Sequence, residues 1–224
     1  MIEAVLFDFD GLMADSEPLA RWAWDETLAA YGHRLDDQAY HAILGLRLSD
    51  SARVLCERFA LPVSPAQAAE ERDRLFLEAV PVRLHARPGL YRLLDALAER
   101  GLPLGVATSG HRRYVRLALE TLGVAGRFQA VVTGDDVQRG KPAPDVYLLA
   151  AERLGVAPAR CMALEDTPLG LAAARAAGML CVAVPNADTA SADFSAADRC
   201  FPSLDAVAAA LDGLLSATGR SRRS

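Results

Sequence analysis

The sequence is poor in lysine and cysteine, and both shortages are informative. Lysine and arginine together number 24 in the 224 residues, yet Lys141 is the single lysine, so 23 are arginines. A compact, rotatable ammonium group kept at one position suits a crowded anionic site, although chance also explains a single lysine. The four cysteines are far apart and form no C-x-x-C pair. Cys161 and Cys181 lie in apolar, strand-like runs, so buried thiols are favoured there over disulfides or metal ligands.

Long apolar runs and excess positive charge are also missing. No stretch approaches the roughly 20 apolar residues of a membrane span, and no basic segment leads into the first apolar run, which argues against a secretory signal. The net charge of −5 argues against a nucleic-acid or anionic-membrane surface, and the basic cluster at 220–223 has the character of a frayed terminus. We therefore expect a cytoplasmic protein, monomeric by default, that binds neither nucleic acid nor membranes.

The most distinctive segment lies near the N-terminus, where an apolar run ends in Asp8-Phe9-Asp10-Gly11. Because side chains alternate along a strand, Asp8 and Asp10 can point to the same side. Two carboxylates so close cannot both ionise cheaply unless a cation joins them or one keeps its proton. This suggests one nucleophilic or metal-binding carboxylate and one acid/base carboxylate. A strand end followed by an Asp-Gly turn is the ordinary alternative, and the short motif alone does not decide between them.

Periodicity divides the chain into two regions. The first strand is predicted at 4–8, followed by helices at 18–31, 36–44, 49–59 and 64–79, with Pro81 at the exit of this all-helical segment. Beyond Gly89, helices at 90–100, 112–122, 145–154 and 169–177 alternate with strands at 102–108, 129–133, 161–164 and 180–184. A last strand near 200–201 and a helix at 204–215 follow. This alternation predicts an α/β core with a parallel sheet, formed by 1–15 and 83–224, and a helical insert over 16–82.

Polar residues stand at the predicted carboxyl ends of the strands, where parallel sheets bind their ligands. They are Asp8, the run Thr108-Ser109-Gly110, Lys141 in a following loop, and the pair Glu165-Asp166. Each has an ordinary alternative as a helix cap, a first-turn acid or a surface charge. Together they predict an acidic cluster suited to Mg²⁺ beside a hydroxyl and an ammonium group, which is what binding a phosphate dianion requires.

Four segments in this order resemble the motifs of the haloacid dehalogenase-like (HAD) superfamily. They are Asp8-Phe9-Asp10-Gly11, Thr108, Gly140-Lys141-Pro142-Ala143-Pro144-Asp145 and Glu165-Asp166-Thr167-Pro168-Leu169-Gly170. The helical insert and the segment 173–179 resemble its β-phosphoglucomutase-like phosphatase branch, and the similarity spans residues 4 to about 212. The resemblance implies a Rossmann-like parallel sheet core with an inserted α-helical cap domain that closes over the substrate.

The resemblance also implies roles for the motif residues. Asp8 would attack phosphorus to form an aspartyl-phosphate, and Asp10 would act as the general acid and base. Mg²⁺ would be held by Asp8, the Asp10 carbonyl and Asp166, with Glu165 binding directly or through water. Thr108 and Lys141 would be catalytic residues that bind the phosphoryl oxygens, and Lys141 would also restrain Asp8 electrostatically. The further candidates for binding the phosphorylated substrate are Gly11, Ser109 and Gly110.

The implied activity is hydrolysis of a small phosphorylated metabolite, with sugar phosphates as the favoured class. The presence of Asp10 argues against dehalogenation, and the absence of lysine from the cap argues against phosphonate cleavage through a Schiff base. The cap carries Leu19-Ala20-Arg21 where the mutase has a histidine. Mutase-type phosphoryl transfer and a non-catalytic phosphometabolite-binding protein remain the alternatives.

Three further residues are possible substrate contacts with equally ordinary explanations. Glu17 could touch a substrate hydroxyl or serve only as a first-turn acid of a helix. Arg47 could contact substrate or belong to a solvated face, and His111 could line the entrance or be an exposed helix-start residue.

Overall fold

The computed structural model describes residues 1–43, 46 and 48–216. The chain divides into two compact units, one formed by Met1–Asp15 with the segment from His85 onward, and the other by Ser16–Leu84. Arg47, a candidate substrate contact, and the basic cluster at 220–223 lie outside the described residues. The assignment of the helical unit as a cap stays a prediction.

The unit Ser16–Leu84 is built from helices. They are α1 (Glu17–Ala29), α2 (Asp37–Ile43), α3 (Leu48–Phe59) and α4 (Pro65–Arg83). Trp24, Leu28 and Leu55 lie in its hydrophobic core. The helix predicted at 64–79 ends four residues later than expected, because α4 continues through Pro81 to Arg83 and the Leu84 N–H donates to the Val80 carbonyl at 3.1 Å. Burial of Leu77 and Val80 in the last turns stabilises the helix despite the missing N–H of proline.

The other unit contains a six-stranded parallel sheet in the order β3-β2-β1-β4-β5-β6. The strands are β1 (Ala4–Phe7), β2 (Leu104–Ala107), β3 (Ala130–Val132), β4 (Cys161–Glu165), β5 (Leu180–Ala183) and β6 (Arg199–Cys200). This confirms the predicted α/β fold class. In β1, Phe7 is in register with Val106 of β2 and Leu164 of β4. The chain order reverses at β1, so the carboxyl ends of β1, β2 and β4 border the crevice where such sheets bind ligands.

Helices surround this sheet and explain its apolar strands. They are α5 (Leu90–Glu99), α6 (Arg112–Thr121), α7 (Asp145–Leu154), α8 (Pro168–Ala176), α9 (Leu204–Ala209) and α10 (Leu211–Leu215). All four residues of β1 are fully buried, as expected for a strand covered on both faces. The last predicted helix is in fact two helices, because Ala210 leaves helical geometry at φ −99° and ψ 3°. Its N–H is shared between the carbonyls of Ala206 and Val207, which tightens the final turn of α9.

The remaining expectations concern thiols and membranes. Cys56, Cys161 and Cys181 are buried free thiols and Cys200 is an exposed one. The buried thiols predicted at 161 and 181 are therefore confirmed. Across the described part of the chain, no helix combines the length and the apolar character needed to span a bilayer.

Candidate active site

Three carboxylates converge at the carboxyl ends of β1 and β4. Asp8 follows β1 directly and its N–H donates to the Leu164 carbonyl at 3.0 Å, which ties it to the end of β4. Glu165 is the last residue of β4 and Asp166 follows it. One carboxylate oxygen from each of these three buried residues lies within 4.8 Å of the others. The parallel register of two neighbouring strands is what brings residues so distant in sequence together.

Lys141 lies in the middle of this acidic cluster. Its Nζ is 2.6 Å from Asp8 Oδ1 and 2.6 Å from Glu165 Oε1, and its side chain is 8% exposed. Burial alone would lower the pKa of this ammonium group, but the two carboxylates outweigh burial and raise the pKa of Lys141 above its ordinary value. The single lysine of the chain is therefore a charged, buried group held against Asp8.

Glu165 is held from several sides. Its Oε1 also accepts a hydrogen bond from the Tyr147 hydroxyl at 2.6 Å, and its Oε2 accepts one from Thr167 Oγ1 at 3.2 Å. Gly170 leaves room for this carboxylate, because a Cβ at 170 would lie 1.8 Å from Oε1. Burial and the nearby Asp8 raise the pKa of Glu165, against the opposing effect of Lys141. The geometry fixes Glu165 as the hydrogen-bond partner of Lys141, whatever further role it has toward a metal.

The two oxygens of Asp166 have different environments. Oδ2 accepts a hydrogen bond from Asn186 Nδ2 at 2.8 Å, whereas Oδ1 is buried and has no hydrogen-bond partner among the described residues. Gly11, at φ +76°, leaves space for this side chain, because a Cβ there would lie 2.1 Å from Asp166 Oδ2. Burial, followed by the negative charges of Asp8 and Glu165, raises the pKa of Asp166 to about 9.

These residues fit a divalent cation. A buried carboxylate oxygen without a donor calls for a partner that is not protein. The donors that converge here are all oxygens, which are the ligands that Mg²⁺ prefers. A cation would also offset the burial and mutual repulsion that raise the pKa values of the cluster.

Asp10 lies outside the three-carboxylate cluster. Its Oδ1 accepts a hydrogen bond from the Tyr114 hydroxyl at 2.6 Å, and the Tyr114 ring meets Phe9 edge-to-face at 5.8 Å. Burial is the main cause that raises the pKa of Asp8, and the negative charge of Asp10 adds to it while Lys141 opposes both. The two motif carboxylates thus interact electrostatically but have different partners, as two distinct chemical roles require.

Thr108 and its neighbours form a tight turn after β2. Thr108 is buried, its N–H donates to the Val132 carbonyl, and its Oγ1 accepts from the Gly110 N–H at 3.0 Å. The Gly110 N–H is therefore used within the turn, while Ser109 is exposed. His111 contacts Asp135, with 3.0 Å between Nδ1 and Oδ1, and Asp135 also accepts from the Arg112 N–H. The acidic pair 135–136 thus holds the start of α6.

The helical unit contains one predicted site residue that the structure describes. Glu17 is the first residue of α1, and its Oε2 accepts a hydrogen bond from the Tyr40 hydroxyl at 2.7 Å. Arg21 forms an ion pair with Asp37 and lies over the Tyr40 ring, 4.9 Å from its centroid. Glu17 therefore has a structural partner in its own unit, and its contact with substrate stays a prediction.

Sequence reasoning missed three polar side chains of this site: Tyr114, Tyr147 and Asn186. The tyrosines lie on the buried faces of α6 and α7, where a phenol hydroxyl usually finds a partner. The sequence predicted both helices but did not reveal which carboxylates the tyrosines meet. Asn186 follows β5, a strand end at which no polar residue was considered.

Comparison with known proteins agrees with this geometry. The family model for a haloacid dehalogenase-like hydrolase matches residues 2–178. Protein CbbY of Rhodobacter capsulatus is 36% identical over 220 residues, which cover 92% of this chain and 96% of that protein. The fructose-1-phosphate phosphatase YqaB of Escherichia coli is 37% identical over 177 residues, covering 78% of this chain and 92% of the relative. The crystal structure of CbbY from Rhodobacter sphaeroides in complex with phosphate is 31% identical, with a TM-score of 0.80 and coverage of 92% and 96%.

A parallel α/β core with a buried acidic cluster beyond its strand ends defines a class of phosphate-handling hydrolase. The chain belongs to the haloacid dehalogenase-like hydrolase family. The family expected from the four motifs is confirmed, and so is the enzyme class, a phosphoric monoester hydrolase.

Proposed function

We propose that this protein is a Mg²⁺-dependent phosphatase that hydrolyses a small phosphorylated metabolite through an aspartyl-phosphate on Asp8. One observation carries the proposal: Asp8 is held by Lys141 beside Asp166, whose buried Oδ1 has no hydrogen-bond partner in the part of the chain that the structure describes. A carboxylate nucleophile, a fixed positive charge and a free oxygen ligand are the three elements that phosphoryl transfer to an aspartate needs.

The first half-reaction places Asp8 as the nucleophile. Its carboxylate attacks phosphorus, the new oxygen–phosphorus bond forms, and the bond to the leaving alkoxide breaks. Asp10 donates a proton to that alkoxide, so the alcohol leaves neutral. The Tyr114 hydroxyl donates to one oxygen of Asp10 and so helps to hold this carboxyl group in place.

The second half-reaction returns the enzyme to its starting state. Asp10, now a base, takes a proton from a water molecule that attacks the phosphorus of the aspartyl-phosphate. The Asp8–phosphorus bond breaks and inorganic phosphate leaves. The same residue serves as acid and then as base, so the proton balance closes over one turnover.

The phosphoryl oxygens need positive or donor groups throughout. Lys141, the Thr108 hydroxyl and the Ser109 N–H are the proposed donors, since the Gly110 N–H is already bonded to Thr108 Oγ1, and Gly11 allows close approach of the backbone. Mg²⁺, when bound by Asp8 and Asp166 with the Asp10 carbonyl and Glu165 directly or through water, would supply charge that screens the nucleophile from the phosphate dianion.

Sugar phosphates are the favoured substrates. The E. coli relative is named for the dephosphorylation of fructose-1-phosphate, and another relative, from Thermotoga maritima, is called a phosphorylated carbohydrates phosphatase. These names support the proposal for this chain without identifying which sugar phosphate it hydrolyses.

Mg²⁺-dependent release of phosphate from p-nitrophenyl phosphate is the first test, followed by a screen of sugar phosphates, phosphoglycolate and nucleotides. We expect turnover that a chelator abolishes and Mg²⁺ restores. Binding of phosphorylated compounds with no turnover on any of them would support a non-catalytic binding protein instead.

Mutase activity is tested separately. An aldose phosphate supplied with a bisphosphate primer should yield free phosphate, because the position of the mutase histidine is occupied by Leu19-Ala20-Arg21. Accumulation of an isomeric sugar phosphate would contradict the phosphatase proposal.

A further inference from the structure

Asn186 joins three loops of the site through one side chain. It is 7% exposed and follows β5. Its Nδ2 donates to Asp166 Oδ2 at 2.8 Å and to the Gly11 carbonyl at 3.2 Å. The loop after β1, the end of β4 and the loop after β5 are thus connected by the two hydrogens of one amide group.

The orientation of this amide is determined by its oxygen. Asn186 Oδ1 accepts from the N–H of Asp188 at 2.9 Å, from the N–H of Thr189 at 3.1 Å and from Thr189 Oγ1 at 3.2 Å. A flipped amide would place its oxygen against a carboxylate and a carbonyl, and its NH₂ group against two N–H donors. The hydrogen-bond network therefore assigns the donor end to Asp166.

This bond distinguishes the two oxygens of Asp166. Oδ2 is committed to Asn186, and a Cβ added at Gly11 would collide with both partners of that bond, at 2.1 Å from Oδ2 and 2.7 Å from Nδ2. Oδ1 is buried and meets no hydrogen-bond donor from residues 1–43, 46 and 48–216. A neutral donor on one oxygen orients the carboxylate and presents the other oxygen without neutralising the negative charge that a cation would bind. An arginine or lysine in place of Asn186 would neutralise that charge instead.

We propose that Asn186 is a positioning residue that orients Asp166 so that its Oδ1 binds the catalytic cation. The inference rests on the proposed function, since it takes the cation to be Mg²⁺ bound at Asp8 and Asp166. Partners that hold a metal ligand in place commonly affect affinity by 10- to 100-fold, and we expect Asn186 to act within that range.

The test measures Mg²⁺ affinity of the full chain by isothermal titration calorimetry, without substrate. In Asn186→Ser the hydroxyl can still accept from the following N–H groups as in a serine turn, but it is too short to reach Asp166. Thr189→Val is the matched control, because it removes both hydrogen bonds between the Thr189 hydroxyl and Asn186, the one donated to Oδ1 and the one accepted from the backbone N–H, and leaves the bond to Asp166. We expect Mg²⁺ to bind about 10- to 100-fold more weakly to Asn186→Ser and within about threefold of wild type to Thr189→Val.

A second variant, Asn186→Leu, has a similar volume and removes every polar contact, so either variant that folds by circular dichroism decides the matter. Equal Mg²⁺ affinity in wild type and in a folded Asn186 variant would overturn the positioning role alone. Equal weakening in Thr189→Val and Asn186→Ser would also overturn it, because the loop and not the bond to Asp166 would then matter. A wild-type protein that binds no Mg²⁺ would refute the metal in the proposed function and this inference with it.

Kinetics give a second readout. In Asn186→Ser the Mg²⁺ concentration for half-maximal activity should rise by the factor seen in calorimetry, while kcat at saturating Mg²⁺ stays within about threefold of wild type. A large loss of kcat with unchanged Mg²⁺ dependence would contradict a role that acts through the cation.

Discussion

Lys141 is the only ammonium side chain in a sequence with 23 arginines, and it is enclosed between Asp8 and Glu165. A guanidinium is larger and planar, so it cannot make both 2.6 Å contacts from the same enclosed position. Charge alone therefore does not explain the lysine.

Lys141→Arg should abolish most activity although it conserves charge. Loss of one such preorganised donor costs about 10²- to 10³-fold in kcat, and we expect a loss of this size in phosphate release. Arg139→Lys is the control, since Arg139 is exposed and pairs with Asp145 at the surface. Near-normal turnover of Lys141→Arg would contradict the geometric argument.

Tyr147 offers a test of the buried hydrogen bond to Glu165. Tyr147→Phe removes a donor to a buried carboxylate, and such bonds contribute about 1.5–3 kcal/mol, so the free energy of unfolding should fall by about that amount in urea titrations. Tyr91→Phe is the matched change, because the Tyr91 hydroxyl donates to the Leu122 carbonyl from a half-exposed side chain. An equal loss of unfolding free energy in the two variants would show that the buried charge of Glu165 does not strengthen its hydrogen bond with Tyr147.

At the level of secondary-structure elements, the first turn of α8 packs closely against the side chain of Glu165. Thr167 caps the helix by accepting from the Gly170 N–H at 3.1 Å, and Gly170 packs against the carboxylate. Glycine is unfavourable in a helix by about 1 kcal/mol relative to alanine. Its presence here has a steric reason.

Gly170→Ala should therefore destabilise the protein and reduce phosphate release, although alanine is the better helix former. Gly213→Ala in α10 is the control, because a Cβ there meets none of the described residues within 4 Å, and it should raise the free energy of unfolding by about 0.5–1 kcal/mol. Thermal unfolding of both variants decides the point. If Gly170→Ala is as stable as Gly213→Ala, the Glu165 side chain can move away from the added methyl group without loss of unfolding free energy, which would contradict the steric argument.

The turn after β3, which Asp136 connects to α7, predicts a pH dependence of stability. Asp136 accepts hydrogen bonds from the Thr133 N–H at 2.9 Å, from Thr133 Oγ1 at 2.6 Å and from Arg153 at 2.8 Å. Burial alone would raise the pKa of Asp136, but these donors together lower it below the ordinary value of 3.8. A lowered carboxyl pKa stabilises the fold above the unfolded-state pKa, and this contribution is lost as the pH falls toward the folded-state pKa.

Asp136→Asn should accordingly destabilise the protein most near neutral pH. The difference in unfolding free energy from wild type should shrink between about pH 5 and about pH 2, because wild type loses the stabilising charge over that range. Denaturant titrations of both proteins at several pH values measure it. A difference that stays constant or grows on acidification would contradict the assigned pKa direction.

At the scale of the whole molecule, the sequence predicted the architecture well because the relevant signals are local. Apolar runs indicated the strands that form the parallel sheet, and helical spacing indicated the helices around it. The change after Gly89 from consecutive helices to alternating helices and strands indicated the α/β core. Asp8, Lys141, Glu165 and Asp166 could be placed together because the ends of parallel strands share one edge of a sheet.

The missed features depend on tertiary contacts. Tyr147 and Asn186 meet Glu165 and Asp166 only after the sheet has assembled, and their own neighbours in sequence carry no sign of this. The continuation of α4 through Pro81 likewise depends on packing that propensity does not include. Partners of a site residue are thus harder to predict than the residue itself.

The central claim is that Asp8 becomes phosphorylated during turnover. Wild-type protein quenched in acid while hydrolysing substrate should carry one phosphoryl group, sensitive to hydroxylamine, on the peptide that contains Asp8. Asp8→Asn should carry none and should release phosphate at least about 10³-fold more slowly. A phosphoryl group on another residue, or near-normal phosphate release by Asp8→Asn, would contradict the account.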